Sequence, residues 1–198
     1  SLLSEEPDIS AETRARYTGI AMEKAQRLED LVNEFFDITR FSLSRLTLEC
    51  ESVNLSRMLE QMTYEFLPVM DEKSLSWRTE IDPELELVCD PDKLARVFDN
   101  LIRNAVGYSY PESVIFLSAR KLDREIEIQV RNQGRTIPAE KLDRIFDQFF
   151  RMDSSRASST GGAGLGLAIA KEIVELHGGV ISAQSADETI VFTVLLPL

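Results

Sequence analysis

Apolar residues recur along the first forty positions at helical spacing. Ala21, Ala25, Leu28, Val32 and Phe35 step by four, three, four and three, and Leu31, Phe36 and Ile38 widen the stripe. With Ser10 as N-cap and Glu12 in the first turn, the pattern predicts one helix over 10–41. Some thirty residues give a rod of about 45 Å, longer than a small domain is wide. A period near 3.5 residues marks a helix lying along other helices. The stripe therefore calls for bundle partners from outside the segment; the alternative is a helix packed on its own domain.

Beyond residue 44 the pattern is mixed. Residues 46–55 alternate like a strand, and 56–70 repeat like a helix stopped near Pro68. Strands are expected over 75–81 and 85–88. Asp90 then caps a helix with Pro91 in its first turn, running to about 105–107. Residues 114–121 and 125–132 read as a hairpin around Asp123 and Arg124, and 138–146 as a short helix. The polar, small-residue run 149–163 reads as a long loop, of a length usually tied to function. A helix over 165–176, closed by Gly178 and Gly179, and a hairpin of 180–185 with 189–196 complete the chain. The expected fold is α+β: a two-layer sandwich of a mixed, mostly antiparallel sheet covered by helices, preceded by one long bundle-forming helix. Residues 1–44 form one unit in this reading and 45–198 the other.

Charge narrows the functions. Lys plus Arg number 22 against 34 Asp plus Glu, a net charge of -12. This argues against broad contact with nucleic acid or an anionic membrane surface, so a phosphate-bearing ligand must be held locally. No run reaches the roughly 18 apolar residues of a membrane helix, and the first ten residues are polar and acidic, unlike a secretion signal. Two cysteines, Cys50 and Cys89, are too few for a disulfide framework and suit a reducing compartment.

Four clusters carry candidate chemistry. Gly161-Gly162-Ala163-Gly164-Leu165-Gly166-Leu167 leads into a helix. Glycines there let a ligand approach the backbone, and the helix start offers unpaired N–H donors, so the stretch is an anion site or else a helix-packing device. It lacks the Gly-Lys-Ser/Thr of a P-loop, and Leu167 stands where the dinucleotide fingerprint needs its last glycine. Asn100 and Asn104, four apart, share a helix face. Their amide oxygens suit Mg²⁺, the other reading being solvated or capping asparagines. Asn132-Gln133-Gly134 ends a strand, either as a turn or as a hydrogen-bonding group for a base edge beside a glycine. Arg151 and Arg156 flank the start of the polar loop, exposed to solvent or reaching a terminal phosphate.

In this order the clusters resemble the sensor histidine kinases and, more broadly, the ATP-binding superfamily shared with gyrase, Hsp90 and MutL. Residues 100–108 look like the N box, 132–138 like the first glycine box, Phe146-Asp147-Gln148-Phe149-Phe150-Arg151 like the F box, and 162–167 like the second glycine box. The likeness covers about 45–198, and the long helix fits the second helix of the kinase dimerisation hairpin. The runs 90–104 and 160–179 look closest to the vancomycin-resistance sensor kinases. The resemblance implies a Bergerat-type fold binding ATP and Mg²⁺. It assigns Asn104 to the metal with Asn100 nearby, Tyr108 to packing on the nucleotide, Asn132 to adenine, and Ile137 to the base pocket. Gly134 belongs to the first glycine box. Arg151 and Arg156 would steady the terminal phosphates. Gly162, Gly164, Leu165 and Gly166 would shape the phosphate loop, and Leu167 would help wall the pocket. It further implies transfer of the γ-phosphate to a histidine and onward to an aspartate of a response regulator receiver domain. A homodimer forms through the helical unit in this picture, which is the cytoplasmic portion of a bacterial membrane sensor.

Several positions depart from the family pattern. The first glycine box has Asn132 in place of the aspartate and Thr136 in place of its second glycine. An amide accepts a hydrogen bond without charge assistance, so weak ATP affinity is expected. Gly107 stands where lysine is frequent. Asn100 occupies the place of the water-activating glutamate of hydrolysing relatives; an amide is no general base, so ATP hydrolysis should be slow. The single histidine, His177, lies at a predicted helix end, where a structural role is expected. The phospho-acceptor helix is expected just before Ser1, making the chain a fragment of a larger sensor. The alternative reading is a degenerate, non-catalytic nucleotide-binding and dimerisation module.

Overall fold

A computed structural model describes residues 10, 12–22, 24, 25, 28, 47–152 and 164–198. Near the N-terminus, 12–22, 24, 25 and 28 are helical. Ser10 caps this helix, its Oγ accepting from the Thr13 N–H at 3.1 Å. Ala21, Ala25 and Leu28 of the expected stripe are exposed. Leu31, Val32, Phe35, Phe36 and Ile38 lie outside the described residues, as does the expected helix end near 41.

The elements that follow are β1 (Glu51–Asn54), α1 (Leu55–Glu65), α2 (Leu67–Asp71), β2 (Ser76–Ile81), β3 (Glu86–Cys89) and α3 (Pro91–Tyr108). Then come β4 (Val114–Lys121), β5 (Glu125–Gln133), α4 (Ala139–Leu142), a 3₁₀ turn (Asp143–Phe146), α5 (Gly166–Leu176), β6 (Val180–Ala186) and β7 (Thr189–Pro197). Five strands form one sheet in the order β2-β4-β5-β7-β6. Only β2 and β4 run parallel; the other three pairs are antiparallel. A separate antiparallel pair, β1 with β3, lies outside this sheet.

Alternation explains the layering. On β5, Ile126, Ile128, Val130 and Asn132 are buried, and on β7 so are Ile190, Phe192, Val194 and Leu196. Strand period two puts each set on one face. The helices answer with Leu94, Val97, Phe98, Leu101, Ile102, Ala105 and Val106 from α3 and Ile169, Ala170, Ile173 and Val174 from α5. Burying each large aliphatic or aromatic side chain contributes about 1.5–3 kcal/mol. The other face of the sheet is partly covered by an Arg78–Phe116–Arg131 stack, the two guanidinium carbons 5.7 and 4.6 Å from the ring centre.

The structure redraws some expected boundaries. Strand β1 begins at Glu51, and the helix expected over 56–70 is two helices broken at Phe66. The first helix ends at Glu65, shortly before Pro68, which sits in the opening turn of the second, where a missing N–H is harmless. The helix expected over 138–146 tightens after one turn into the 3₁₀ segment.

One joint locks the two layer-forming helices. The Asp90 carboxylate caps α3 by accepting from the Lys93 N–H at 3.1 Å. It also accepts from the Glu49 N–H at 3.1 Å and pairs with the Lys93 ammonium. Meanwhile the Asp90 N–H donates to His177 Nε2 at 3.1 Å, and His177 Nδ1 lies 2.8 Å from the Ile173 carbonyl. Both ring nitrogens are thus engaged in tying the end of α5 to the start of α3. Burial pushes the Asp90 carboxyl up, but the Lys93 and Glu49 hydrogen bonds and the Lys93 charge outweigh it and hold it below the usual range. A depressed carboxyl contributes stability above its unfolded value of about 3.9, and that contribution vanishes as pH falls through the lower folded value. Asp90→Ala should cost about 1–2 kcal/mol at pH 7, with the gap to the unaltered chain narrowing below about pH 4. Urea unfolding at neutral pH and near pH 3 measures both; a gap that does not depend on pH would remove the carboxylate charge from the account.

Next door, the Cys89 thiol is pushed up to about 11, by burial first and then by nearby Cys50, Asp90 and Glu51. It stays protonated and behaves as a small core residue.

Candidate functional site

The site assembles where α3 passes the start of α5. Asn100 and Asn104 are half-buried, one helical turn apart on α3. Helix α5 opens at Gly166 beside them: a Cβ at Gly166 would lie 2.9 Å from Asn100 Oδ1. Glycine is therefore what allows the helix start to come this close. Leu165 forms the N-cap position without a side-chain cap bond, so the first N–H groups of α5 keep their capacity for an anion. Leu165 itself is buried, and Leu167 packs partly buried against the core.

Gly164 explains how the polar loop is rooted. Its φ is +79°, and a Cβ there would sit 2.7 Å from the Phe150 carbonyl oxygen. Both the left-handed backbone and the close approach exclude a side chain. The Phe149 N–H donates to the Gly164 carbonyl at 3.0 Å, tying together the two stems of the loop. Phe146 packs edge-on against Phe192 at 6.4 Å, and the Arg144 guanidinium lies 4.8 Å from the Phe150 ring centre. Arg151 is half-buried with its Cγ 3.3 Å from the position of a Gly164 Cβ, which places it at this root. Arg156 and Gly162 lie outside the described residues.

The third part is the end of β5. Asn132 is 1% exposed, and neither its Oδ1 nor its Nδ2 has a hydrogen-bond partner. Asn100 Nδ2 is likewise buried and unpartnered. Buried polar groups are seldom left so, because each costs about 1–3 kcal/mol, so both amides call for a partner from outside the protein. Gly134 bridges to Ser109, and a Cβ on it would lie 2.4 Å from the Tyr108 carbonyl and 3.3 Å from Asn132 Nδ2. That glycine thus brings the end of α3, with half-exposed Tyr108, against the Asn132 amide. Ile137 is buried beyond it, its N–H donating to Ser185 Oγ at 2.9 Å.

Some supporting residues escaped the sequence reading. Lys73 donates to the carbonyls of Val106 and Gly107 at 2.8 and 3.1 Å, capping α3 from a distant turn. The β6–β7 turn places Asp187 and Glu188 at φ 47° and 57°, without glycine. The Glu188 carbonyl receives the Gly134 N–H at 2.8 Å, its N–H reaches Thr136 Oγ1 at 2.9 Å, and its carboxylate accepts from Tyr110 Oη at 3.0 Å. No local signal announces these contacts, which join residues up to 78 positions apart.

The donor set also limits the metal. No group of three or more His, Cys, Asp or Glu side chains suited to an ion exists among the described residues. A fully protein-built cage is therefore absent there. Neutral amide oxygens at Asn100 and Asn104 fit a hard cation that keeps waters and shares phosphate oxygens, which is the habit of Mg²⁺. An open depression at the β4–β5 turn, lined by Lys121, Leu122, Asp123, Arg124 and Glu125, belongs to the opposite end of β5 from Asn132. No helix among the described residues is long and apolar enough to cross a membrane.

Known proteins similar to this chain are sensor kinases. The chain is 54% identical over 197 residues to the sensor protein VanSC of Enterococcus gallinarum, covering 100% of this chain and 54% of that one. It is 46% identical over 197 residues to the sensor protein VanS of Enterococcus faecium, covering 100% and 51%. The chain thus spans about half the length of these relatives. Among solved structures, histidine kinase ThkA in complex with the response regulator protein TrrA superposes with a TM-score of 0.79 at 26% identity, over 98% of this chain and 54% of that one. Full-length ShkA in complex with AMPPNP shares the fold, with a TM-score of 0.80 at 24% identity over 96% and 40%. Residues 89–198 match the model of the histidine kinase-, DNA gyrase B- and HSP90-like ATPases, and the chain belongs to that family.

Proposed function

We propose that residues 45–198 are the ATP-binding catalytic unit of a sensor histidine kinase, and residues 1–44 part of its helical dimerisation unit. The observation that carries this reading is the seating of Gly166 on Asn100, which brings Gly164 and Leu165, the uncapped start of α5 and the asparagine face of α3 to one place. Asn132 takes the base, with Gly134 and Ile137 beside it and Tyr108 packing on the nucleotide. The N–H groups after Gly164 receive phosphate oxygens, and Leu165 and Leu167 wall them off from the core. Arg151, with Arg156, steadies the terminal phosphates.

Asn104, with Asn100 nearby, would hold Mg²⁺. When bound, that ion neutralises charge on the phosphate oxygens during transfer. The chain's own contribution is positioning: α3 and α5 hold the triphosphate in line with an incoming acceptor, and Asn100, lacking a basic group, leaves water unactivated. The acceptor is a histidine other than His177, whose ring nitrogens are both engaged. The phosphoryl group then passes to a response regulator aspartate. The names of the similar proteins, sensor kinases among them one held with its response regulator, support this sequence of events. A place on the cytoplasmic side of a membrane sensor that works as a dimer completes this reading and follows from the family resemblance alone.

Incubation with γ-labelled ATP tests the proposal. The chain alone should bind ATP only with Mg²⁺, hydrolyse it slowly and remain unlabelled. Supplying a separate helical segment that bears an acceptor histidine should produce acid-labile label on that segment. Binding without any transfer would instead favour the non-catalytic module, a reading that Asn132 and Gly107 also support through their missing charges.

A further inference from the structure

We propose that Asn132 makes the base pocket tolerant of either an amino or an oxo group at purine C6, so that the chain accepts 6-oxopurine triphosphates such as ITP alongside ATP. The inference rests on the nucleotide reading above and concerns the selectivity of that same site.

Around the end of β5 most backbone polar groups are already paired. The Gly134 N–H is taken by the Glu188 carbonyl, and the Tyr110 N–H by the Gln133 carbonyl. The Ile137 N–H is taken by Ser185 Oγ, and Thr136 Oγ1 receives the Glu188 N–H. Asn132 alone in this group is 1% exposed with both its oxygen and its nitrogen unpartnered. Because no protein group touches either atom by a hydrogen bond, nothing in the fold selects which end of the amide faces which way. Gly134 puts no side chain beside Nδ2; the Tyr108 carbonyl oxygen lies 2.4 Å from where its Cβ would be, and Nδ2 3.3 Å from it.

A primary amide is one acceptor and one double donor side by side. Adenine offers a 6-amino donor next to the N1 acceptor, and the amide matches it with Oδ1 toward the amino group and Nδ2 toward N1. Hypoxanthine offers the reverse, an O6 acceptor next to an N1–H donor. A half-turn of the amide matches that edge equally well. A carboxylate at the same position only accepts, so it sets lone pair against lone pair at O6 and favours the amino purine. Strong rejection of an analogue arises when a site group is left buried and unpaired. With an amide that turns to suit, neither base leaves one unpaired.

Calorimetric titration of the chain with ATP and with ITP, each in excess Mg²⁺, decides the matter. ITP should bind within about tenfold of ATP, where a one-sided polar site would discriminate by orders of magnitude. Asn132→Asp should tighten ATP, weaken ITP, and widen their ratio by about tenfold or more. An ITP affinity more than about 100-fold below that of ATP in the unaltered chain overturns the inference while leaving the ATP reading intact. An unchanged ratio in a folded Asn132→Asp variant, checked by thermal melting, overturns it too. If that variant does not fold, the ratio in the unaltered chain is the deciding measurement. Failure of both nucleotides to bind sinks the nucleotide reading itself.

Discussion

Replacing Asn104 by alanine is expected to remove Mg²⁺-dependent ATP binding, lowering the apparent affinity on the order of 100-fold, while leaving the fold unharmed. Asn104 is half-buried on α3, and alanine is the better helix former, so the helix itself loses nothing. What disappears is the amide oxygen. No cluster of carboxylates or imidazoles among the described residues can take its place. Asn104→Asp retains an oxygen ligand and should retain part of the binding. Titrations with Mg²⁺ and with a chelator separate the effects: the two chains should differ with the metal and coincide without it. Equal affinity in the presence of Mg²⁺ would assign the metal to other groups.

The second large effect is expected at Gly134. A methyl group there would meet the Tyr108 carbonyl oxygen at 2.4 Å, a distance real Cβ atoms do not adopt. The opposing atom is backbone, so no side chain can swing away. The end of β5 must separate from the end of α3, breaking the Ser109–Gly134 bridge and disturbing the Gly134 N–H bond to Glu188. Gly134→Ala should therefore cost about 1–3 kcal/mol of stability, read as a shift in the urea midpoint. Nucleotide affinity should fall as well, because Tyr108 and Asn132 flank the displaced contact. Stability loss with undiminished binding would separate this glycine from the base pocket.

Much of the architecture was legible because it is periodic. Ile126, Ile128 and Val130 alternate as a half-buried strand must, and Asp90-Pro91 opens α3 as a cap and first turn should. Gly164 and Gly166 were legible as points of close backbone approach, and the structure sets them against Phe150 and Asn100. Other features depend on partners far along the chain. The break at Phe66 follows packing, since Phe66 is buried and its ring lies 5.3 Å from the Arg103 guanidinium carbon. The Asp187–Glu188 turn adopts positive φ without glycine because three contacts reward Glu188 for being there. His177 read as a helix-end residue, but its bond to the Asp90 N–H, 87 positions away, is invisible to local pattern. The role proposed for Asn132 comes only from resemblance; its lack of any protein hydrogen-bond partner is a three-dimensional fact.

The antiparallel pair α3 and α5 meets twice, through the Asp90–His177 hydrogen bond at one end and the close approach of Gly166 to Asn100 about ten residues further along. Contacts at both ends of α5 resist its tilting away from α3. Little of a bound ligand's interaction energy would then be diverted into arranging the two helices.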